Sequence, residues 1–161
     1  MYNYIIGIDS GKNGGIAVLG GDGSVVDVVG MPDTPQDLLE FLREVNAYDG
    51  NCKAYVEKVG GMPKNGGSAM FNFGKGNGYI EMALLALEIP TVYIRPQVWQ
   101  KGLGVGSSSI TTDSSAEKSE HKRKLKEVAQ GLFPSLGRKV SLKTCDALLI
   151  ADYGRRKENL K

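Results

Sequence analysis

The sequence predicts an α/β fold in which a mixed five-stranded sheet carries helices on its faces. Three short β-branched or aliphatic runs separated by glycine-rich turns open the chain, the pattern of adjacent hairpin strands. Apolar runs then alternate between strand and helix spacing, as α/β units do. At 161 residues one sizeable core is affordable, so a single domain over 1–161 is expected.

Tyr4 to Asp9, Gly14 to Leu19 and Val25 to Met31 are the first three expected strands, with Gly20-Gly21-Asp22-Gly23 as the clearest turn. Pro35 to Val45 places Leu38, Leu39, Leu42 and Val45 at helical spacing behind Thr34, an N-cap residue type. Lys53 to Val59 reads as a fourth strand. The glycine-rich segment Gly60 to Gly78 is expected to be a long loop carrying Phe71 and Phe73. Tyr79 to Leu87 has the apolar density of a buried helix ended by Pro90, and Thr91 to Ile94 makes a fifth strand. Pro96 to Leu103 is a short helix or turn holding the only tryptophan, Trp99. The Gly/Ser/Thr stretch 104–115 is expected to be a mobile loop. A basic helix over Ala116 to Phe133 and a final helix over Leu142 to Arg156 complete the chain. The order βββαβαβα plus a last helix is the ribonuclease H-like topology.

Composition narrows the function classes. Hydrophobic residues make up 41% and charged residues 24%, the usage of ordinary globular proteins. Cys52 and Cys145 form no CxxC pair, so neither a disulfide framework nor a zinc site is indicated. The longest apolar stretch, Met82 to Ile89, contains Glu88 and is too short for a membrane span, and no export leader is recognised. The expected setting is therefore cytoplasmic, with no membrane partner. The net charge of +2 hides an asymmetry: residues 1–100 carry 7 Lys/Arg against 11 Asp/Glu, and residues 101–161 carry 13 against 7. A basic final third suits a polyanion, although a Lys-rich helix is also simply a solvated face.

Three carboxylates stand where chemistry is expected. Asp9 closes the first strand at an edge where α/β sheets place ligands; the competing role is a turn or capping aspartate before Ser10-Gly11. Glu57 interrupts an apolar strand, where a buried carboxylate is costly unless paired or metal-bound; the competing partners are Lys58 and Lys64. Asp146 opens the apolar part of the last helix, a position the helix dipole favours by itself. If strands one and four are adjacent and parallel, Asp9 and Glu57 emerge side by side. An all-carboxylate set is a hard oxygen donor set, suited to Mg²⁺ or Mn²⁺ and able to serve two-metal phosphodiester hydrolysis.

The chain resembles the RuvC-like Holliday junction resolvases, especially the branch common in bacteriophages. The resemblance rests on Gly7-Ile8-Asp9-Ser10-Gly11 with Gly14-Gly15, on Val56-Glu57, and on Ser68-Ala69-Met70-Phe71-Asn72-Phe73-Gly74. It continues through Arg95-Pro96-Gln97-Val98-Trp99-Gln100-Lys101, Leu132-Phe133-Pro134 and the run from Asp146 to Arg156. The resemblance implies a homodimeric Mg²⁺-dependent endonuclease of a bacterial or phage-infected cell that cuts four-way DNA junctions. It also implies Asp9, Glu57 and Asp146 as metal ligands, and a segment around Phe71 and Phe73 that reaches the junction centre. Aromatics can stack on unpaired bases, and Lys64 and Lys75 can meet phosphates beside them.

One position departs from the family pattern. A fourth metal-site residue, acidic or His, usually precedes the last-helix Asp by about one turn, and here that position is Lys143. Three residues before Asp146 on the expected last helix, Lys143 shares its face and can contact the scissile phosphate or stabilise charge in the transition state, or else faces solvent. Asp152, six residues beyond Asp146, lies about 120° away around a helix and is not expected to bind metal. In the basic helix Lys118, Lys122 and Lys126 recur every four residues, with His121, Arg123 and Lys124 alongside. Lys118, His121, Lys122, Arg123 and Lys126 are the candidate DNA contacts, Lys118 and Lys122 being best placed to approach the acids. Trp99 is expected in the core. The competing functions are a catalytically weak junction-binding protein, a nuclease for structured RNA, and an actin-like phosphotransferase, which the length disfavours.

Overall fold

The computed structural model describes residues 2–48, 51–58, 66–105 and 115–159. Strands β1 (Tyr4–Asp9), β2 (Gly15–Gly20) and β3 (Val25–Gly30) form an antiparallel meander. β4 (Cys52–Glu57) pairs parallel with the free edge of β1, and β5 (Thr91–Ile94) pairs parallel with β4. The sheet order is β3-β2-β1-β4-β5, the mixed five-stranded sheet of the ribonuclease H-like fold.

Strand alternation sorts the side chains into two cores. Ile6, Ile8, Val18, Ala54 and Val56 pack under α1 (Pro35–Asn46) and α2 (Gly67–Ala86). Ile5, Ala17, Leu19 and Tyr55 face the other way, toward α3 (Pro96–Trp99), α4 (Ser115–Leu132) and α5 (Cys145–Asn159). The start of α1 is set by Thr34, whose hydroxyl accepts from the Asp37 amide at 3.1 Å and donates to the Asp37 carboxylate at 2.7 Å.

The segment from Gly67 to Gly78, expected to be loop, is the first half of α2. Each interior glycine costs a helix about 1 kcal/mol. Packing outweighs that cost, because Met70, Phe73, Asn77, Ile80 and Leu84 recur at three- and four-residue steps and are among the covered or half-covered positions of the helix. The final helix also starts later than expected. Thr144 bonds the Lys139 carbonyl and the Ser141 amide, and α5 begins only at Cys145. Most of the expected mobile loop at 104–115 falls outside the described residues.

α5 lies directly on β1 and is held there by absent side chains. A Cβ at Gly7 would drive into the Ala147 carbonyl and the Ala151 amide of α5. Near its other end Gly154 sits against the Tyr55 ring, and Glu158 takes the Tyr55 hydroxyl at 2.6 Å and Lys53 at 2.8 Å. Among the described residues no helix is long and apolar enough to cross a membrane.

Gly7→Ala should therefore cost about 3 kcal/mol or more, because the obstacle is backbone and cannot rotate away. Gly78→Ala, with nothing within 4 Å of the added methyl, should gain about 0.5–1 kcal/mol from helix propensity. Urea unfolding of the two variants checks the contrast; equal effects would contradict this packing.

Candidate active site

The parallel register aligns Ile8 with Val56, so the next residues, Asp9 and Glu57, leave their strands side by side. Both follow residues of the α1/α2 core and therefore turn to the opposite face, where α5 lies. Close packing at Gly7 brings the first turn of α5, with Asp146, to the same edge. The three acids expected to act together are thus assembled from three elements. Asp9 and Asp146 are buried and Glu57 is half-buried.

Such a cluster is strained by its own charge. Burial, then the neighbouring Asp146, push the Asp9 carboxyl up to about 6, while Lys122 and a hydrogen bond with Glu57 pull it down. Burial, then Asp9 and Asp146, push Glu57 up to about 7. Lys122 of α4 offsets part of this. Its ammonium pairs with Asp146 and lies 3.4 Å from Asp9. Burial opposes that charge, but Asp146 and Asp9 outweigh it and hold Lys122 above the ordinary lysine range. The Cys145 thiol, 3.3 Å from Asp146 Oδ1, is pushed up to about 12 by burial and then by Asp146, so it remains a protonated donor.

Trp99 is in the core, as its type predicts, and does more. Its indole N–H donates to Glu57 Oε1 at 3.0 Å. The signal was available, since a buried indole needs an acceptor. Next to it, His121 Nε2 donates to Gln100 Oε1 at 3.1 Å, an arrangement that turns His121 to α3. Glu57 is directed at Trp99 rather than at Lys58, which is exposed.

Asp9 borders an open cleft of about 590 Å³ whose lining includes Ser10, Lys12, Lys122 and Lys143. Lys143 is exposed in the turn before α5, so the expectation that it shares a helical face with Asp146 does not hold. Asp152 is occupied by Arg155 at 2.9 Å and Arg156 at 3.0 Å. On α4, Lys118 and Arg123 are exposed and Lys126 is half-buried. Phe71 is 70% exposed on α2, while Phe73 lines a groove of about 610 Å³ between α1 and α2. Lys75 is exposed and lies 5.7 Å from the centre of the Tyr79 ring. Lys64 lies outside the described residues.

Solved structures share this architecture. RuvC of Thermus thermophilus in complex with a Holliday junction substrate matches with a TM-score of 0.67 and 15% identity, covering 98% of this chain and 96% of that one. A second T. thermophilus RuvC structure gives 0.57 at 16% identity, with 96% of each chain covered. The chain has the RuvC fold. No family model and no curated protein matches it.

Within the RuvC fold of this chain, two observations bear on a cation at the acids. One lysine pairs with only two of the three carboxylates, Asp9 and Asp146, and the buried hydroxyl of Ser10 finds no hydrogen-bond partner among the described residues. An all-oxygen set short of positive charge suits a hard divalent ion. In the present arrangement Lys122 stands between Asp9 and Asp146, and among the described residues no three acidic, His or Cys groups close around one point.

The raised carboxyls set a pH dependence for the metal-free protein. The folded state keeps protons that the unfolded carboxyls, at 3.8 and 4.5, release, so it binds more protons between about pH 4 and 7. Stability should fall as pH rises through that window. At neutral pH Asp9→Asn should raise metal-free stability by about 1–3 kcal/mol, and Lys122→Met should lower it by a similar amount. Thermal melts in chelator check both signs; a loss in Asp9→Asn would contradict the charge imbalance.

Proposed function

We propose that the chain is a Mg²⁺-dependent endonuclease that hydrolyses phosphodiesters in four-way or other branched DNA. The observation that carries this reading is the convergence of Asp9, Glu57 and Asp146 at a sheet edge with less positive charge than they require. Asp9, Glu57 and Asp146 would hold the ion, with Mn²⁺ able to substitute. When bound, Mg²⁺ supplies Lewis-acid polarisation of the scissile phosphate and an activated water, the chemistry of two-metal hydrolysis.

The chain's own groups do the rest. Lys12, Lys122 and Lys143 line the cleft and offer ammonium groups to phosphate oxygens beside Asp9. Lys122 is the one already inside the carboxylate site, where it neutralises charge in the absence of the ion. Lys118 and Arg123 project from the exposed part of α4 and suit backbone phosphates farther along an arm. The exposed ring of Phe71 offers a stacking face for an unpaired base. The solved RuvC of the same fold is bound to a Holliday junction substrate, which supports the choice of branched DNA. A homodimer would place one site on each of two strands.

A second reading has one observation in its favour. Because Lys122 stands between Asp9 and Asp146, a protein that binds junctions and cuts them poorly fits the same geometry.

A labelled four-way junction incubated with Mg²⁺ should be cut into nicked duplexes, while a linear duplex of the same sequence and a structured RNA are not. Asp9→Asn and Asp146→Asn should each lower the rate by at least about 100-fold while retaining junction binding in chelator. Tight junction binding without cutting in Mg²⁺ or Mn²⁺ would establish the binding-only reading. Preferential cutting of the RNA would overturn the substrate.

A further inference from the structure

We infer that Trp99 is a positioning residue of the carboxylate site, fixing one oxygen of Glu57 through its indole N–H. The inference rests on the nuclease reading above and specifies how one of its acids is aimed. Trp99 is 1% exposed, and its only polar atom is spent on Glu57 Oε1 at 3.0 Å. A tryptophan needed only for volume could direct that N–H at any carbonyl nearby. Here it meets the single acid at the end of β4, whose backbone is fixed between β1 and β5.

The contact fixes one of the two oxygens of Glu57. Oε1 is held by the indole at 3.0 Å. A carboxylate at a strand end has free rotation about its side-chain torsions, and a neutral donor from the core removes it without adding a competing charge. Outer hydrogen bonds of this kind orient ligating groups toward an ion.

The element that carries Trp99 is built for the purpose. Pro96 stands in the first turn of α3, which fixes the backbone entering that turn, and the Gln100 amide closes it on the Pro96 carbonyl at 3.0 Å. Gln100 then holds His121 on α4, the neighbour of Lys122. One short helix thereby reaches both Glu57 and the helix that delivers Lys122. The unbroken run Trp99-Gln100 performs both contacts, so their spacing cannot drift independently.

Because the chain has one tryptophan, its indole N–H gives a single cross-peak in a ¹H–¹⁵N spectrum. That peak should be downfield and slow to exchange with solvent in the wild type. It should move upfield and exchange faster in Glu57→Ala. Addition of Mg²⁺ should also shift it. Trp99→Phe should cut a four-way junction about tenfold more slowly through kcat, with KM and junction affinity retained. Phe133→Leu, a truncation in the same core that removes no side-chain hydrogen bond, should lower thermal stability and leave kcat unchanged.

An indole peak indifferent to Glu57→Ala overturns the inference, as does wild-type kcat in Trp99→Phe. If Trp99→Phe does not fold, the response of the indole peak to Glu57→Ala decides alone. A peak that responds to Glu57→Ala but not to Mg²⁺, in a protein that cuts nothing, sinks the nuclease reading and leaves the positioning contact intact.

Discussion

The close approach of α5 to β1 at Gly7 decides where the acids meet. No side chain separates the strand from the helix there, and Ala147 and Ala151 complete the contact. A larger residue at any of these positions would lift the helix away and carry Asp146 with it. The far end of α5 is fastened independently by Glu158 to Tyr55 and Lys53 of β4. Position and tilt of the helix are thus set at two points along its length. The remaining acids need no such device, because strand pairing aligns Asp9 with Glu57.

That convergence has an electrostatic consequence. Bringing three carboxylates together while removing them from water raises the proton affinity of Asp9 and Glu57, and a single lysine does not cancel the excess. Local rules of stability are broken here, and such breaches concentrate at functional sites. The surrounding groups are arranged around the breach: Trp99 and Cys145 donate to carboxylate oxygens, and Lys12 and Lys143 border the cleft beyond Lys122. A cation entering the cleft would relieve the repulsion that folding creates. The proposed nuclease chemistry uses that stored tendency.

Much of this was readable in the sequence, for identifiable reasons. Glycine-bounded β-branched runs gave the meander, and Thr34 with Pro35 gave the start of α1, because those signals are local. Asp9 and Glu57 stood out because each closes an apolar strand, and a parallel pairing was enough to join them. The first half of α2 was lost to its glycines, although the three- and four-residue recurrence from Met70 to Leu84 was present underneath. Of the two places open to Lys143 the solvent-facing one holds, because the hydrogen bonds of Thr144 delay the helix and spacing arguments assume a helix already formed. Trp99 was legible as core but not as a partner of Glu57, since that contact joins residues 42 positions apart. Lys118 and Lys122 stood out of the lysine stripe together, and only the packing of α4 decided between them.

On the proposed reading the three acids form a binding place for a divalent cation that Lys122 only partly replaces. Anomalous diffraction from crystals grown with Mn²⁺ tests it most directly. A manganese peak coordinated by oxygens of Asp9, Glu57 and Asp146 is expected, with the Lys122 ammonium moved off the Asp9–Asp146 pair. Crystals that hold Lys122 against both aspartates, with no manganese at these carboxylates at saturating Mn²⁺, would contradict it.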